Sequence, residues 1–333
     1  MYTVVEADFS EWNKYWNHCL RANLMQAWEY GEAKKQGENW KIIRFLIEDE
    51  KKQVVSIAQF LVKALPLIGG VARLNRGPLV VVDLNEDQQN NIIVESLKAL
   101  LHISKTKRWW MVQMAPELNN AGQNIEQLKI LGLRQLTNNP WASGYMLLEP
   151  DEEKLLMSLK GKWRNCLRKS WKQGVSVSLS SGEDEDFASL IESYNQLQKD
   201  KAFSGIPASI LQELVKQQGD TWDFKLFFAK ESDSMSETNE TIGTLVSVRH
   251  GNTSMYLIGS TSDRGRALNA NYTLLWEAVL HAKKDGCKWF DIGGLNEETP
   301  KGIAHFKQGL NSNLYALVGE WQYIFMRQIF SKS

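Results

Sequence analysis

The chain has 333 residues, 39 of them lysine or arginine and 39 aspartate or glutamate, so its formal net charge is zero. No global field draws it onto nucleic acid, and any phosphate contact must come from a local basic patch. Its length suits about two domains, and its 43% hydrophobic content excludes a disordered class. Three cysteines, Cys19, Cys166 and Cys287, are odd in number and far apart, without metal-ligand spacing. They fit small apolar roles in a reducing cytosol. Residues 1–6 show no basic stretch leading into an apolar core, and no apolar run approaches the roughly 18 residues of a spanning helix. The expected location is the cytoplasm, with no integral membrane segment.

In chain order, residues 42–47 and 54–62 alternate in a way that predicts a strand hairpin. Arg76-Gly77-Pro78 breaks the chain before a helix near 86–101. A strand over 109–114, an amphipathic helix near 125–131 and a strand over 144–148 follow. The second half repeats the order, with strands over 224–229, 242–248 and 254–258, a helix over 268–284 and a strand over 288–292. A short helix after Pro300, a strand near 315–318 and a last helix over 321–330 end the chain. Even the strand openings match, Lys107-Arg108-Trp109-Trp110 against Cys287-Lys288-Trp289-Phe290, about 180 residues apart. The recurrence suggests duplication of one mixed α/β unit. A boundary is expected near Glu149-Pro150-Asp151, which gives domains 1–149 and 150–319. The acidic stretch 231–240 lacks periodicity and reads as a hairpin tip.

Two segments carry the chemistry. In Trp289-Phe290-Asp291-Ile292-Gly293-Gly294 an apolar strand runs into two glycines, where a substrate can approach the backbone closely. Pro300 then suits the first turn of a short helix bearing His305, Phe306 and Lys307, because its missing N–H would have had no partner there. Asp291 is read as capping the turn after its strand. The other segment, 160–174, is the strongest charge cluster. On a helix, Arg164, Arg168 and Lys172 fall at i, i+4 and i+8 and form one basic stripe. Trp163, Leu167 and Trp171 are expected on an adjacent apolar stripe, and Gly174 closes the helix. Such a face suits phosphate or nucleic acid.

These segments resemble, in this order, the FemABX family of aminoacyl-tRNA-dependent peptidyltransferases, which extend the stem peptide of peptidoglycan precursors. The resemblance implies an α/β (α+β) fold of two tandem GNAT-like domains, with the C-terminal segment 320–333 folding back on the first. It puts Lys307, with Phe306, at the reaction centre beside Gly293 and Gly294, where an acceptor peptide lies along the strand. It places Tyr256, in Tyr256-Leu257-Ile258-Gly259-Ser260, as a substrate-positioning residue. The family's early Gln-x-Trp helix is matched by Gln26-Ala27-Trp28, and its precursor-holding lysine by Lys34 or Lys35, which the spacing does not separate. The family's mid-domain arginine and tyrosine have no clean counterpart; Lys201 stands where the arginine is often seen. By resemblance the donor is aminoacyl-tRNA and the acceptor a UDP- or lipid-linked muropeptide, with no cofactor, a monomeric state and room for peripheral membrane association.

An alternative is an acyl-CoA-dependent N-acyltransferase acting on a sugar or exopolysaccharide precursor. Acyltransferases of the GNAT fold cradle the CoA pyrophosphate on backbone N–H groups at a glycine-rich helix start. The comparable stretch here is 264–271, with one glycine, Gly265, and with Asn269 and Asn271 positioned to crowd acetyl-CoA. Arg264 and Arg266 are read instead as contacts to the 3′-terminal phosphates of tRNA. A third reading is a binding module that has lost its chemistry, against which Lys307 speaks. No nucleophile elbow, P-loop or histidine metal spacing is present in the sequence.

Overall fold

The computed structural model describes residues 2–65, 69–137, 139–180, 187–188, 190–192, 194–195, 206–231 and 240–325. Lys201, the tip 232–239 and the end of the expected last helix lie outside the described residues. The chain divides into two compact units, one formed by residues up to Ala142 with those from Tyr315, the other by Ser143–Leu314.

The first unit is built on β1 (Thr3–Glu6), β2 (Lys41–Glu48), β3 (Val54–Leu65), β4 (Gly69–Asn75), β5 (Leu79–Val80), β6 (Trp109–Ala115) and β7 (Arg134–Gln135), joined by β15 (Trp321–Ile324). Their order is β1-β2-β3-β4-β6-β15-β7, with β5 beside β3. The long helix α3 (Glu86–Thr106) starts at a capping box made by Asn85 and Gln88. It buries Ile92, Ile93, Leu97 and Leu100 in the same cluster as Phe45, Phe60, Val62 and Leu74 of the sheet. Residues of opposite parity, Arg44 and Gln59, meet α2 (Trp28–Glu38), so β3 is covered on both faces and reads as a near-continuous buried run.

The second unit contains β8 (Ala142–Leu147), β9 (Val175–Ser180), β10 (Trp222–Glu231), β11 (Thr241–His250), β12 (Thr253–Thr261), β13 (Trp289–Asp291) and β14 (Asn313–Ala316). Their order is β14-β8-β13-β12-β11-β10-β9. Its helices are α5 (Glu152–Ser158), α6 (Gly161–Lys172), α7 (Ala208–Leu214), α8 (Asp263–Ala267), α9 (Ala270–Lys284) and α10 (Lys301–Lys307) among the described residues, while α1 (Phe9–Trp16) and α4 (Gly122–Ile130) belong to the first unit. Helix α9 packs Leu274, Leu275, Ala278 and Val279 into a core with Phe227, Leu245, Phe290, Trp163 and Leu167.

The two sheets share one plan: four antiparallel strands, a parallel partner reached through a helix, an inserted strand, and a last strand. Both inserted strands come from the other half of the sequence. Residues 142–147, expected at the end of the first domain, pair with β13 of the second sheet, so the division falls at 142/143 rather than at 149/150. Residues 321–324 form β15 and not the start of a helix. They pair with Met114 to Met111 of β6 and with Gln135 and Arg134 of β7, and Trp321 becomes fully buried. An aromatic-rich tetrapeptide next to two strands with free ladder groups gains more as a strand than as a helical turn. No helix among the described residues is long and apolar enough to cross a membrane.

Candidate active site

The site forms where a ladder stops. Strands β12 and β13 run parallel through Thr253↔Trp289, Ser254↔Phe290 and Met255↔Asp291, and then part. On its other side β12 carries a bulge, since Val246 pairs with Ile258 and Ser247 with Tyr256, leaving Leu257 unpaired. Beyond β13 the chain turns at Gly293, whose φ is +74°. A Cβ there would lie 2.7 Å from the Tyr256 carbonyl oxygen and 3.1 Å from Lys307 Nζ, so only glycine fits. The buried Asp291 carboxylate accepts from the Gly293 N–H at 2.8 Å and from the Ser143 hydroxyl, which also lies 2.9 Å from the Gly293 carbonyl oxygen. Asp291 therefore caps the turn as expected, with Ser143 locking it. Sequence reasoning missed Ser143 because it arrives on β8, a strand assigned to the other domain.

Lys307 fills the opening. It is 7% exposed. Its Nζ donates to the Gly294 carbonyl at 3.2 Å and sits 4.7 Å from the centre of the Tyr256 ring. Burial pushes the ammonium down from 10.5 to about 8, against the opposing pull of Asp291. Burial also raises the Tyr256 phenol to about 12, so it stays protonated and can donate. The structure thus brings Tyr256, Gly293, Gly294 and Lys307 together. Phe306 points elsewhere, into an aromatic cluster with Trp163 and Tyr272 at 6.1 and 5.1 Å between ring centres.

The basic helix α6 lies in the same unit, but its stripe is uneven. Arg164 donates to the carbonyls of Met157 and Leu159, at 2.8 and 3.2 Å, and so ties down the end of α5. Arg168 and Lys172 are exposed, with no carboxylate partner among the described residues. Trp163 and Leu167 are buried as expected, whereas Trp171 is 39% exposed beside the charges. The reason is angular: residue 171 is seven positions from Arg164, two turns along the same face.

Arg264 and Arg266 are already paired. Arg264 makes a two-pronged contact with Glu231, and Arg266 reaches Asp263 and the Thr261 carbonyl. Around them the backbone amides are spent internally: Gly265 on the Ser262 hydroxyl, Arg266 on the Ser262 carbonyl, Leu268 on Arg264 and Asn269 on Arg266. In the first unit Lys34 is partly buried and bonds Glu38 at 2.7 Å, whereas Lys35 is an exposed surface lysine near Glu32. Burial would raise the Glu38 carboxyl, but hydrogen bonds from Lys34 and Trp40 hold it below its usual value.

Asp223, His281 and Asp285 place three ligand-type atoms within 4.8 Å of one another. Lys225 lies 3.2 Å from Asp223 and already offsets its charge, so the group reads as an ion network rather than a metal centre.

Known proteins point the same way. Residues 210–331 match the model described as the FemAB family. The chain is 21% identical over 375 residues to a lipid II:glycine glycyltransferase of Staphylococcus saprophyticus, covering 91% of this chain and 88% of that protein. Its fold is similar to the crystal structure of FemX, with a TM-score of 0.77, 18% identity and 98% of both chains covered. A tandem GNAT protein from the clavulanic acid biosynthesis pathway is similar at a TM-score of 0.54 and 10% identity, again over 98% of both chains. The FemAB match thus falls on residues 210–331, and the fold over the whole chain is similar to that of FemX and of a tandem GNAT protein.

Proposed function

We propose that this protein is an aminoacyltransferase that moves an aminoacyl group from aminoacyl-tRNA to an amine on the stem peptide of a lipid- or UDP-linked peptidoglycan precursor, in the cytoplasm. The observation that carries the reading is the desolvated Lys307 ammonium at the parting of β12 and β13, held by the Gly294 carbonyl and the Tyr256 ring. The aminoacyl ester is already activated, so no covalent enzyme intermediate is needed. The acceptor amine attacks the ester carbonyl, a new C–N bond forms and the ester C–O bond breaks. The proton lost by the amine ends on the leaving ribose oxygen. Lys307 stabilises the tetrahedral oxyanion, a contribution greatest where water is excluded. Gly293 and Gly294 leave room for the acceptor backbone, and Tyr256 donates from a phenol that stays protonated.

Arg168 and Lys172, both unpaired among the described residues, are the better phosphate contacts; Arg164 is committed to carbonyls. In the first unit, Lys34 is the residue we assign to the precursor. The acyl-CoA reading is disfavoured because the amides of Gly265, Arg266, Leu268 and Asn269 are satisfied within the 262–269 turn and have nothing left for a pyrophosphate. The test offers the purified protein labelled aminoacyl-tRNAs or acetyl-CoA with a muropeptide precursor. Label reaching the precursor from aminoacyl-tRNA is the expected result. Transfer from acetyl-CoA alone would overturn the reading.

A further inference from the structure

Lys307 is carried on a helix of seven residues, a length that does not hold its own geometry in isolation. What holds it comes from α6. The Trp163 indole N–H donates to the Phe306 backbone carbonyl at 3.0 Å, one residue before the lysine. The same indole stacks on the Phe306 ring, 6.1 Å between centres and 23° between planes, and Tyr272 closes edge-on against both. Immediately past the helix, Gly309 rests on the indole so closely that a Cβ would lie 2.1 Å from Trp163 Cδ1. The Lys160 N–H, at the start of α6, donates to the Gly309 carbonyl at 3.0 Å. Two carbonyls flanking Lys307 are thus fixed by α6, and Trp163 itself is 3% exposed, wedged in the core.

We propose that Trp163 is a positioning residue that seats Lys307. The proposal rests on the reading of Lys307 as the reaction-centre cation. The seat depends on register: Nζ must reach the Gly294 carbonyl and the Tyr256 ring together, and a short helix slipping by a fraction of a turn loses both. Ring volume alone would fill the core, but only an N–H aimed at one carbonyl selects one register. The outer face of the same α6 presents Arg168 and Lys172, so the helix that offers phosphate contacts also fixes the lysine.

The test uses Trp163→Phe, which keeps the ring and removes the N–H, and Gly309→Ala, which displaces the indole from the other side. Lys307 is titrated directly through the ¹³Cε shift of labelled lysine, alongside kcat and KM for the acceptor. In both variants its midpoint is expected to rise from about 8 toward 10.5 as the ammonium regains water. kcat is expected to fall about tenfold or more, since a misplacement of about 1 Å can cost 10²-fold, with the acceptor KM little changed. A purely packing role would lower the thermal midpoint and leave both the titration and kcat where they are, and that result overturns the proposal. The direct titration keeps the two readings apart: a midpoint raised in Trp163→Phe, together with full turnover in Lys307→Met, removes the lysine from the chemistry, not Trp163 from its seat.

Discussion

In the first unit β4 and β6 run parallel through six paired positions, from Gly70↔Trp109 to Asn75↔Ala115. In the second, the corresponding β12 and β13 stop after three, at Met255↔Asp291. The helix that follows each pair bears a lysine in its last turn. Lys129, on α4, is 56% exposed and lies 3.3 Å from Glu126, whereas Lys307, on α10, is buried over a tyrosine ring. One architecture therefore gives an inert surface lysine or a desolvated cation according to where a ladder ends. The continued ladder uses up its backbone groups and leaves the following lysine to water. The shortened one frees the Gly294 carbonyl and opens a space that a lysine can enter, at the cost of desolvating its charge.

The sharpest way to break this comparison is to remove both lysines separately. Lys307→Met is expected to lower kcat by about 10²–10³-fold, the range for losing one oxyanion-stabilising donor, while circular dichroism shows the fold intact. Lys129→Met should leave turnover unchanged and alter stability by no more than about 0.5 kcal/mol. Equal effects from the two variants would mean that the position of the ladder end has no bearing on the reaction.

A second consequence is a pH dependence of stability that Lys307 contributes. Lys307 is held at about 8 in the folded chain against 10.5 for the free side chain. Between those values the unfolded chain binds a proton that the folded chain has released, so stability rises with pH across that window. Below about 8 both states are protonated and the penalty is fully present. At 1.36 kcal/mol per pH unit the difference is about 3 kcal/mol. Denaturant titrations at pH 7 and 10.5 should show Lys307→Met gaining most at pH 7. If the charged lysine is the working form, activity also falls as pH rises through about 8, a limb that Lys307→Arg should move upward.

The turn itself offers a smaller effect. Gly293→Ala forces an L-residue to a φ of +74°, with its Cβ 2.7 Å from the Tyr256 carbonyl. The left-handed conformation alone costs about 1–2 kcal/mol, and the new methyl group crowds the Lys307 ammonium. Both thermal midpoint and kcat should drop. A variant as stable and active as the parent would mean that the backbone here relaxes freely.

Much of this was legible in the sequence. The duplicated order of elements, the glycine pair, the lysine two residues past His305 and the capping role of Asp291 were all readable, because turn chemistry and periodicity are local signals. What was not readable is long-range. Nothing in 142–147 says that the strand completes the second sheet and carries Ser143 beneath Asp291, and nothing in Trp321–Ile324 says that it forms a strand of the first rather than the expected helix. Phe306 was placed beside Lys307 in chemistry, but neighbours on a helix point about 100° apart, and its ring belongs to the Trp163 cluster. The stripe on α6 was right in register and wrong in emphasis. Spacing cannot reveal that Arg164 is spent on two carbonyls while Trp171 faces solvent.

That unevenness supplies the smallest and most specific prediction. Helix α6 leads into β9 of the second sheet, so its charges belong to the second half of the comparison. If Arg168 and Lys172 meet RNA phosphates, replacing both with glutamine should weaken aminoacyl-tRNA binding modestly at physiological salt. The log–log salt slope should shrink by about 0.7–0.9 per lost contact. Stability should barely change, since both side chains are exposed and unpaired among the described residues. Arg164→Gln should do the reverse. It loses the hydrogen bonds to Met157 and Leu159, about 1.5–3 kcal/mol each at most for a charged donor and less where water replaces it, with little change in the salt slope. Fluorescence anisotropy across a salt series, paired with thermal melts, separates the two behaviours. If Arg164 carried the slope and Arg168 with Lys172 carried the stability, the division of labour read from the hydrogen bonds would be inverted, and α6 would face its partner with a different side.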